Sequence, residues 1–150
     1  MCDDAKRIFI TGAGRSKLVG NFLGMRLMHS GYTVYVQGEI STPSIREGDL
    51  LIVISGSGET AQLVSFANKA KSEGAKVVLI CSKSRSTIGD LADKTIQIGN
   101  DDSFYVTKGM PMGTMFELST LIFLEAIVSH LIHEKGIPEE EMRYRHANME

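Results

Sequence analysis

Short apolar runs alternate along the chain with longer segments that have helical spacing. The runs at residues 8–11, 33–36, 50–54 and 76–81, and a weaker one at 95–98, predict five strands. The run Leu50-Leu51-Ile52-Val53-Ile54 is apolar throughout, which is typical of a strand buried on both faces of a parallel sheet. Apolar spacing predicts helices at 16–30, 59–73 and 114–135, a short helical turn at 88–93, and a last helix that Pro138 opens.

The alternation of strands and helices with short connections predicts one domain over residues 1–150. Right-handed crossovers then give an α/β three-layer sandwich around a five-stranded parallel sheet. We expect the doubly wound order 2-1-3-4-5, in which strands one and three are neighbours. Ligands of such sheets bind at the carboxyl ends of these two strands, so the loops 12–16 and 55–60 should face each other across the ligand crevice.

The loop after the third strand has the composition of an anion site. It reads Ser55-Gly56-Ser57-Gly58-Glu59-Thr60 and leads directly into a helix. Unpaired N–H groups and the positive end of a helix dipole stabilise an anion there, and the glycines let the backbone approach it. Ser16, Arg15 and Lys17 are expected on the opposite side. The alternative is that Ser55 or Ser57 simply caps the helix.

The loop after the first strand argues against a dinucleotide. It reads Gly12-Ala13-Gly14-Arg15-Ser16-Lys17, so Lys17 stands where the G-x-G-x-x-G fingerprint requires its third glycine. No acidic residue ends the second predicted strand, and the G-x-x-x-x-G-K-[ST] pattern of a nucleotide P-loop does not occur. The two loops together favour a phosphate monoester.

Charge and cysteine content narrow the function classes further. Sixteen basic and eighteen acidic residues give a net charge of -2, so neither nucleic acid nor an anionic membrane is an expected partner. Cys2 and Cys81 lack C-x-x-C spacing and suit a reducing, cytoplasmic compartment.

The apolar stretch 118–132 is short for a membrane span and contains Glu125 and His130. No histidine and carboxylate spacing is typical of a metal site, since His130 and His133 lack a nearby third ligand.

The two loops resemble those of the sugar isomerase (SIS) domain family, whose phosphate loop has the pattern S-x-S-G-x-T. Residues 25–29, 110–117 and 142–150 are also similar to the branch of that family that acts on hexulose 6-phosphates. The resemblance implies interconversion of D-arabino-3-hexulose 6-phosphate and fructose 6-phosphate in the ribulose monophosphate pathway, without metal or organic cofactor. It implies that Ser16, Ser55, Ser57 and Thr60 hold the phosphate, that Glu117 is the base, and that the protein forms tetramers in which His146 completes a neighbour's site.

Moving a carbonyl from C3 to C2 needs one carboxylate to take a proton from C2 and return it to C3, through a cis-enediol. Glu117, early in the long predicted helix, is our candidate. Its alternative role is a capping box with Thr114. Arg15 is either a partner of the phosphate or carbonyl oxygen or a surface charge. His146 is either a proton-transfer group or part of a solvated charge run, Arg143-Tyr144-Arg145-His146.

The sequence also leaves two other functions open. One is a sibling aldose-ketose isomerase, for example one acting on arabinose 5-phosphate. Another is a module that binds a sugar phosphate without turnover. The apolar face of the long helix is too wide for one contact with a sheet, so we expect part of it, together with Met110, Met112 and Met115, to pack against another subunit. His29, late in the first helix, is expected at the surface or paired with the helix dipole.

Overall fold

The computed structural model describes residues 1–101 and 109–149. Its strands are β1 (Ile8–Gly12), β2 (Val34–Val36), β3 (Leu50–Ile54), β4 (Lys76–Cys81) and β5 (Lys94–Gln97). Its helices are α1 (Arg15–His29), α2 (Ala61–Ser72), α3 (Thr87–Leu91), α4 (Thr114–Lys135) and α5 (Glu139–Arg145). The predicted elements are all present. Residues 102–108, between β5 and α4, lie outside the described residues.

One helix begins later than its spacing suggests. We predicted a start at Glu59, whereas α2 begins at Ala61. The difference arises because Thr60, with φ -62° and ψ 115°, keeps an extended backbone as the N-cap. Residues 55–60 therefore form a loop of their own.

The five strands form one parallel sheet in the order β2-β1-β3-β4-β5, which confirms the predicted fold class. β1 and β3 pair in register from Ile8 opposite Leu50 to Gly12 opposite Ile54. Because both strands end at the same level, the loops that follow them start side by side. This register puts the two predicted loops at one edge of the sheet.

Helices cover both faces of the sheet. α1 and α4 contribute to the core on one face, where Ile10, Ile52 and Ile80 point. α2 and α3 cover the other face, where Phe9, Val53 and Leu79 point. All five residues of β3 are buried, as its unbroken apolar run predicts.

α4 is longer than the apolar stretch we identified. Its 22 residues are enough, by length and composition, to cross a bilayer. The prediction that the stretch 118–132 is too short for a membrane span was therefore wrong as an argument from length. One side of the helix is nevertheless core: Phe116, Thr120, Leu124 and Val128 are buried. Charged side chains of α4 also pair with α1, as Glu125 does with Arg26 at 3.2 Å. These contacts are those of a helix packed in a globular domain.

Candidate active site

The predicted ligand crevice lies at the carboxyl ends of β1 and β3, and the first turn of α1 packs tightly on the end of β1. A Cβ at Gly12 would lie 2.9 Å from the backbone N of Lys17 and 3.0 Å from the carbonyl carbon of Ser16. Glycine at this position therefore allows the first turn of α1 to pack directly on the strand end. Ser16, at that turn, is buried. It lies on the β1 side of the crevice, as the sequence predicts.

Both helices that start at the crevice have N-termini without a side-chain cap. The N-cap of α1 is Gly14, with φ 54°, and that of α2 is Thr60. Within the described residues, no cap side chain accepts a hydrogen bond from the first turn of either helix. The first N–H groups of a helix lack intrahelical partners and carry the positive end of its dipole. Two such ends at one crevice favour the binding of an anion.

The serine hydroxyls of the second loop are not caps of α2, so that alternative interpretation is wrong. Gly58 donates its N–H to Ser55 Oγ at 3.1 Å, and Glu59 donates its N–H to Ser57 Oγ at 3.2 Å. Each hydroxyl thus accepts a hydrogen bond from its own loop. Since a hydroxyl also donates one, the proton of each serine is left for a further acceptor. A phosphate oxygen fits that requirement.

Glu117 and Arg15 meet at the start of α1. Arg15 Nε donates to Glu117 Oε2 at 2.5 Å, across 102 positions of sequence. The Glu117 side chain is 9% exposed, whereas that of Arg15 is 66% exposed. The pair places a buried carboxylate next to an accessible guanidinium, directly beside Ser16. Arg15 is therefore not an unpaired surface charge.

The capping box proposed as the alternative for Glu117 is not formed. Thr114 is the first residue of α4 rather than its cap, and the cap is Gly113 in the left-handed region with φ 87°. Glycine is suited to that backbone conformation. The Glu117 carboxylate is instead bound by Arg15, so it is directed toward α1 and the crevice.

His146 lies away from these groups. Its ring stacks on the ring of His29 with 5.1 Å between centroids, and Arg145 donates to the His29 carbonyl at 3.1 Å. Both contacts are at the last turn of α1, whereas Arg15 is at its first. A 15-residue helix is about 20 Å long, so His146 is at the wrong end of α1 to serve the crevice of its own chain. His29 is buried, so its expected surface position was wrong.

The sequence reasoning missed the segment that supports the phosphate loop from behind. Ser82, fully buried after β4, donates both its N–H and its hydroxyl to the Gly56 carbonyl, at 3.0 and 2.8 Å. Ser86 caps α3 by accepting from Gly89 N. The serine-rich stretch 82–87 was the signal in the sequence that could have identified this segment.

Residues 1–101 and 109–149 contain no candidate metal site. No group of three histidine, cysteine, aspartate or glutamate side chains there could hold an ion. The groups that the crevice does offer are hydroxyls, backbone N–H groups and one carboxylate–guanidinium pair. Such groups bind an anion and move protons.

Comparison with known proteins identifies similar sequences over most of the chain. The model of the SIS domain family matches residues 2–127. A 3-hexulose-6-phosphate isomerase of Methylomonas aminofaciens is 54% identical over the whole chain, which covers 84% of that relative. A protein of the same name from Bacillus subtilis is 42% identical over 96% of this chain and 80% of its own length.

A solved crystal structure has a similar fold. The crystal structure of a Methanococcus jannaschii protein superposes with a TM-score of 0.91 and 38% identity, over 99% of this chain and 81% of that one. From that structure, a molecular function of 3-hexulose-6-phosphate isomerase was inferred for the Methanococcus protein.

Proposed function

The chain belongs to the SIS domain family, and from this premise we propose that it is a 6-phospho-3-hexuloisomerase. It interconverts D-arabino-3-hexulose 6-phosphate and fructose 6-phosphate. This reaction is a step of the ribulose monophosphate pathway. The buried carboxylate of Glu117 beside Arg15, at the edge of the sheet where the phosphate loop begins, is the observation that carries the proposal.

The phosphate end of the substrate binds between the two loops. Its ligands are the hydroxyls of Ser16, Ser55, Ser57 and Thr60, while Gly56 and Gly58 let the backbone of the loop approach the phosphate closely. The hydroxyl orientation of Ser55 and Ser57 supports this assignment, because both already accept a hydrogen bond from the loop. The uncapped N-terminus of α2 adds favourable electrostatics for a dianion.

Glu117 is the base that moves the proton. Its carboxylate takes the proton from C2, which leaves a cis-enediolate with its charge on O3. The proton of the C2 hydroxyl passes to O3 through the cis-enediol stage, and the carboxylic acid of Glu117 returns its proton to C3 as the carbonyl forms at C2. A buried carboxylate is suited to this work because little water competes for its lone pairs. The same group can serve both carbons because they are adjacent.

Arg15 stabilises the charge that develops on the sugar oxygens. Its Nε holds Glu117, which leaves the other guanidinium N–H groups for an enediolate oxygen. Its exposure gives a substrate direct access to those groups. A fixed cation at this point acts as an oxyanion hole does.

We further propose a cytoplasmic homotetramer in which His146 serves a neighbouring subunit. The separation of His146 from the crevice of its own chain supports this role. An exposed apolar stripe on α1, formed by Leu18, Phe22 and Met25, supports contact between subunits. Ile122 and Leu118 on α4 are also exposed apolar residues.

A coupled assay tests the proposed activity. The wild-type chain receives 3-hexulose 6-phosphate, and the fructose 6-phosphate formed is converted by auxiliary enzymes to an NADPH signal. We expect turnover with this substrate and much slower turnover with arabinose 5-phosphate in a parallel assay. Binding of 3-hexulose 6-phosphate without product would overturn the enzyme proposal and leave a sugar-phosphate-binding module.

A further inference from the structure

Glu59 is the only charged residue of the phosphate loop 55–60, and its carboxylate has a definite partner. Its Oε1 accepts from the backbone N–H of Thr87 at 2.8 Å, and its Oε2 accepts from Thr87 Oγ1 at 2.6 Å. Both oxygens are thus held by the first residue of α3. Hydrogen bonding from the Thr87 hydroxyl and backbone lowers the pKa of Glu59, so the carboxylate is charged at neutral pH.

The backbone next to Glu59 is fixed to the same segment. Ile88 donates its N–H to the Gly58 carbonyl at 3.1 Å. A Cβ at Gly58, where φ is 68°, would lie 2.2 Å from Ser86 Oγ, so no side chain fits between the loop and α3. Residues 58–59 of the loop are therefore held against α3 by the Glu59 side chain, by the Gly58 carbonyl and by close packing at Gly58.

Two hydrogen bonds in succession connect α3 with the proposed phosphate ligand Ser57. Thr87 holds the Glu59 carboxylate, and the Glu59 backbone N–H holds Ser57 Oγ. A carboxylate that was free in this loop would repel a phosphate dianion, whereas one engaged by Thr87 is kept at α3. The charge of Glu59 therefore attaches the loop to α3 and does not bind the ligand.

We propose that Glu59 is a positioning residue, which acts through Thr87 to hold the loop so that the Ser57 hydroxyl faces the phosphate. This inference rests on the phosphate-binding role in the proposed function. Glu59 is not a catalytic residue, because its carboxylate binds α3 and not the substrate. Its effect is on affinity for the phosphate group.

Four variants test the proposal: Thr87→Val, Thr87→Ser, Glu59→Gln and, as a control, Glu73→Gln. Thr87→Val removes the hydroxyl and keeps the shape, whereas Thr87→Ser keeps the hydroxyl. Glu73 lies at the opposite end of α2, paired with Lys69 and Arg46, so its variant makes the same chemical change far from the crevice. Each protein is titrated with inorganic phosphate by calorimetry, assayed with 3-hexulose 6-phosphate, and unfolded in urea.

We expect Thr87→Val to raise the Kd for phosphate and the KM about five- to tenfold, with kcat within about twofold of wild type. Thr87→Ser should restore most of the affinity, and Glu73→Gln should leave the Kd unchanged. Glu59→Gln should also weaken phosphate binding. Tighter binding by Glu59→Gln would overturn the proposal, since charge repulsion would then outweigh positioning.

Unchanged Kd values in both Thr87→Val and Glu59→Gln would also overturn it. So would a loss of kcat in proportion to lost stability, which would indicate a general structural role. The phosphate titration keeps this test separate from the proposed activity. If the wild type binds phosphate but does not turn over the hexulose phosphate, the isomerase proposal fails while the Kd values still decide the role of Glu59. If the wild type does not bind phosphate, both proposals fail.

Discussion

Glu117 offers a way to separate the charge of a catalytic base from its position. Glu117→Asp keeps the carboxylate but removes one methylene, which draws the group back by about 1.5 Å. The contact with Arg15 Nε, now 2.5 Å, then lengthens to about 4 Å and is no longer a hydrogen bond. A misplacement of this size in a reacting group costs about a hundredfold in rate, so we expect kcat to fall by about that factor.

Glu117→Gln makes the complementary change. It keeps the shape of the buried side chain and its ability to accept from Arg15, but the amide cannot take a proton from C2. We expect kcat to fall by about 10²–10⁴-fold, the range that general acid–base catalysis contributes. The Kd for inorganic phosphate should stay close to that of wild type, because Glu117 contacts Arg15 rather than the phosphate loop.

The assay is the coupled measurement with 3-hexulose 6-phosphate, alongside phosphate titration and urea unfolding. Glu125→Gln is the control, since it makes the same substitution two turns further along α4, in an ion pair of Glu125 with Arg26. We expect it to retain nearly full kcat. A Glu117→Gln variant that kept more than about a tenth of wild-type kcat would refute the assignment of the base. Equal losses of kcat and phosphate affinity would show that Glu117 supports binding instead.

Three other predictions concern binding, packing and thiol chemistry. Ser57→Ala should raise the KM about tenfold and change kcat little, because it removes one phosphate hydrogen bond remote from the reacting carbons. Gly12→Ala should lower the free energy of unfolding in urea by about 1–3 kcal/mol, since the new Cβ meets the backbone of α1 and the helix must shift. Burial raises the pKa of the Cys81 thiol, so in a Cys2→Ser background the folded protein should react with a thiol reagent at pH 8 far more slowly than the unfolded one.

The sheet could be predicted because its signals are local. A strand covered on both faces must be apolar at every position, and β3 is the strongest example. Once five such runs alternate with helices, the preference for right-handed crossovers leaves few strand orders. The order in turn puts two particular loops at one edge of the sheet, so the phosphate loop was identified from its composition and its place in the order.

The contacts that complete the site were not predictable in this way. Arg15 and Glu117 are 102 positions apart, and their pairing depends on how α4 crosses α1, which helical periodicity does not specify. The attachment of Glu59 to Thr87 likewise depends on the packing of α3 against the loop. The position of His146 at the last turn of α1 depends on where α5 docks after Gly136. Each case is a long-range tertiary contact.

The separation of His146 from the crevice of its own chain leads to a complementation experiment. If the ring acts in a neighbour's site, Glu117→Gln and His146→Ala are each nearly inactive, yet a mixed pair of subunits contains one intact site. That site combines Glu117 of the His146→Ala chain with His146 of the Glu117→Gln chain. With random pairing, half of the pairs are mixed and each has one working site of two, so activity should recover to about a quarter of wild type. The two variants are unfolded together in urea and refolded, with each variant refolded alone as the control. No gain over the separate variants would show that His146 takes no part in a neighbour's site.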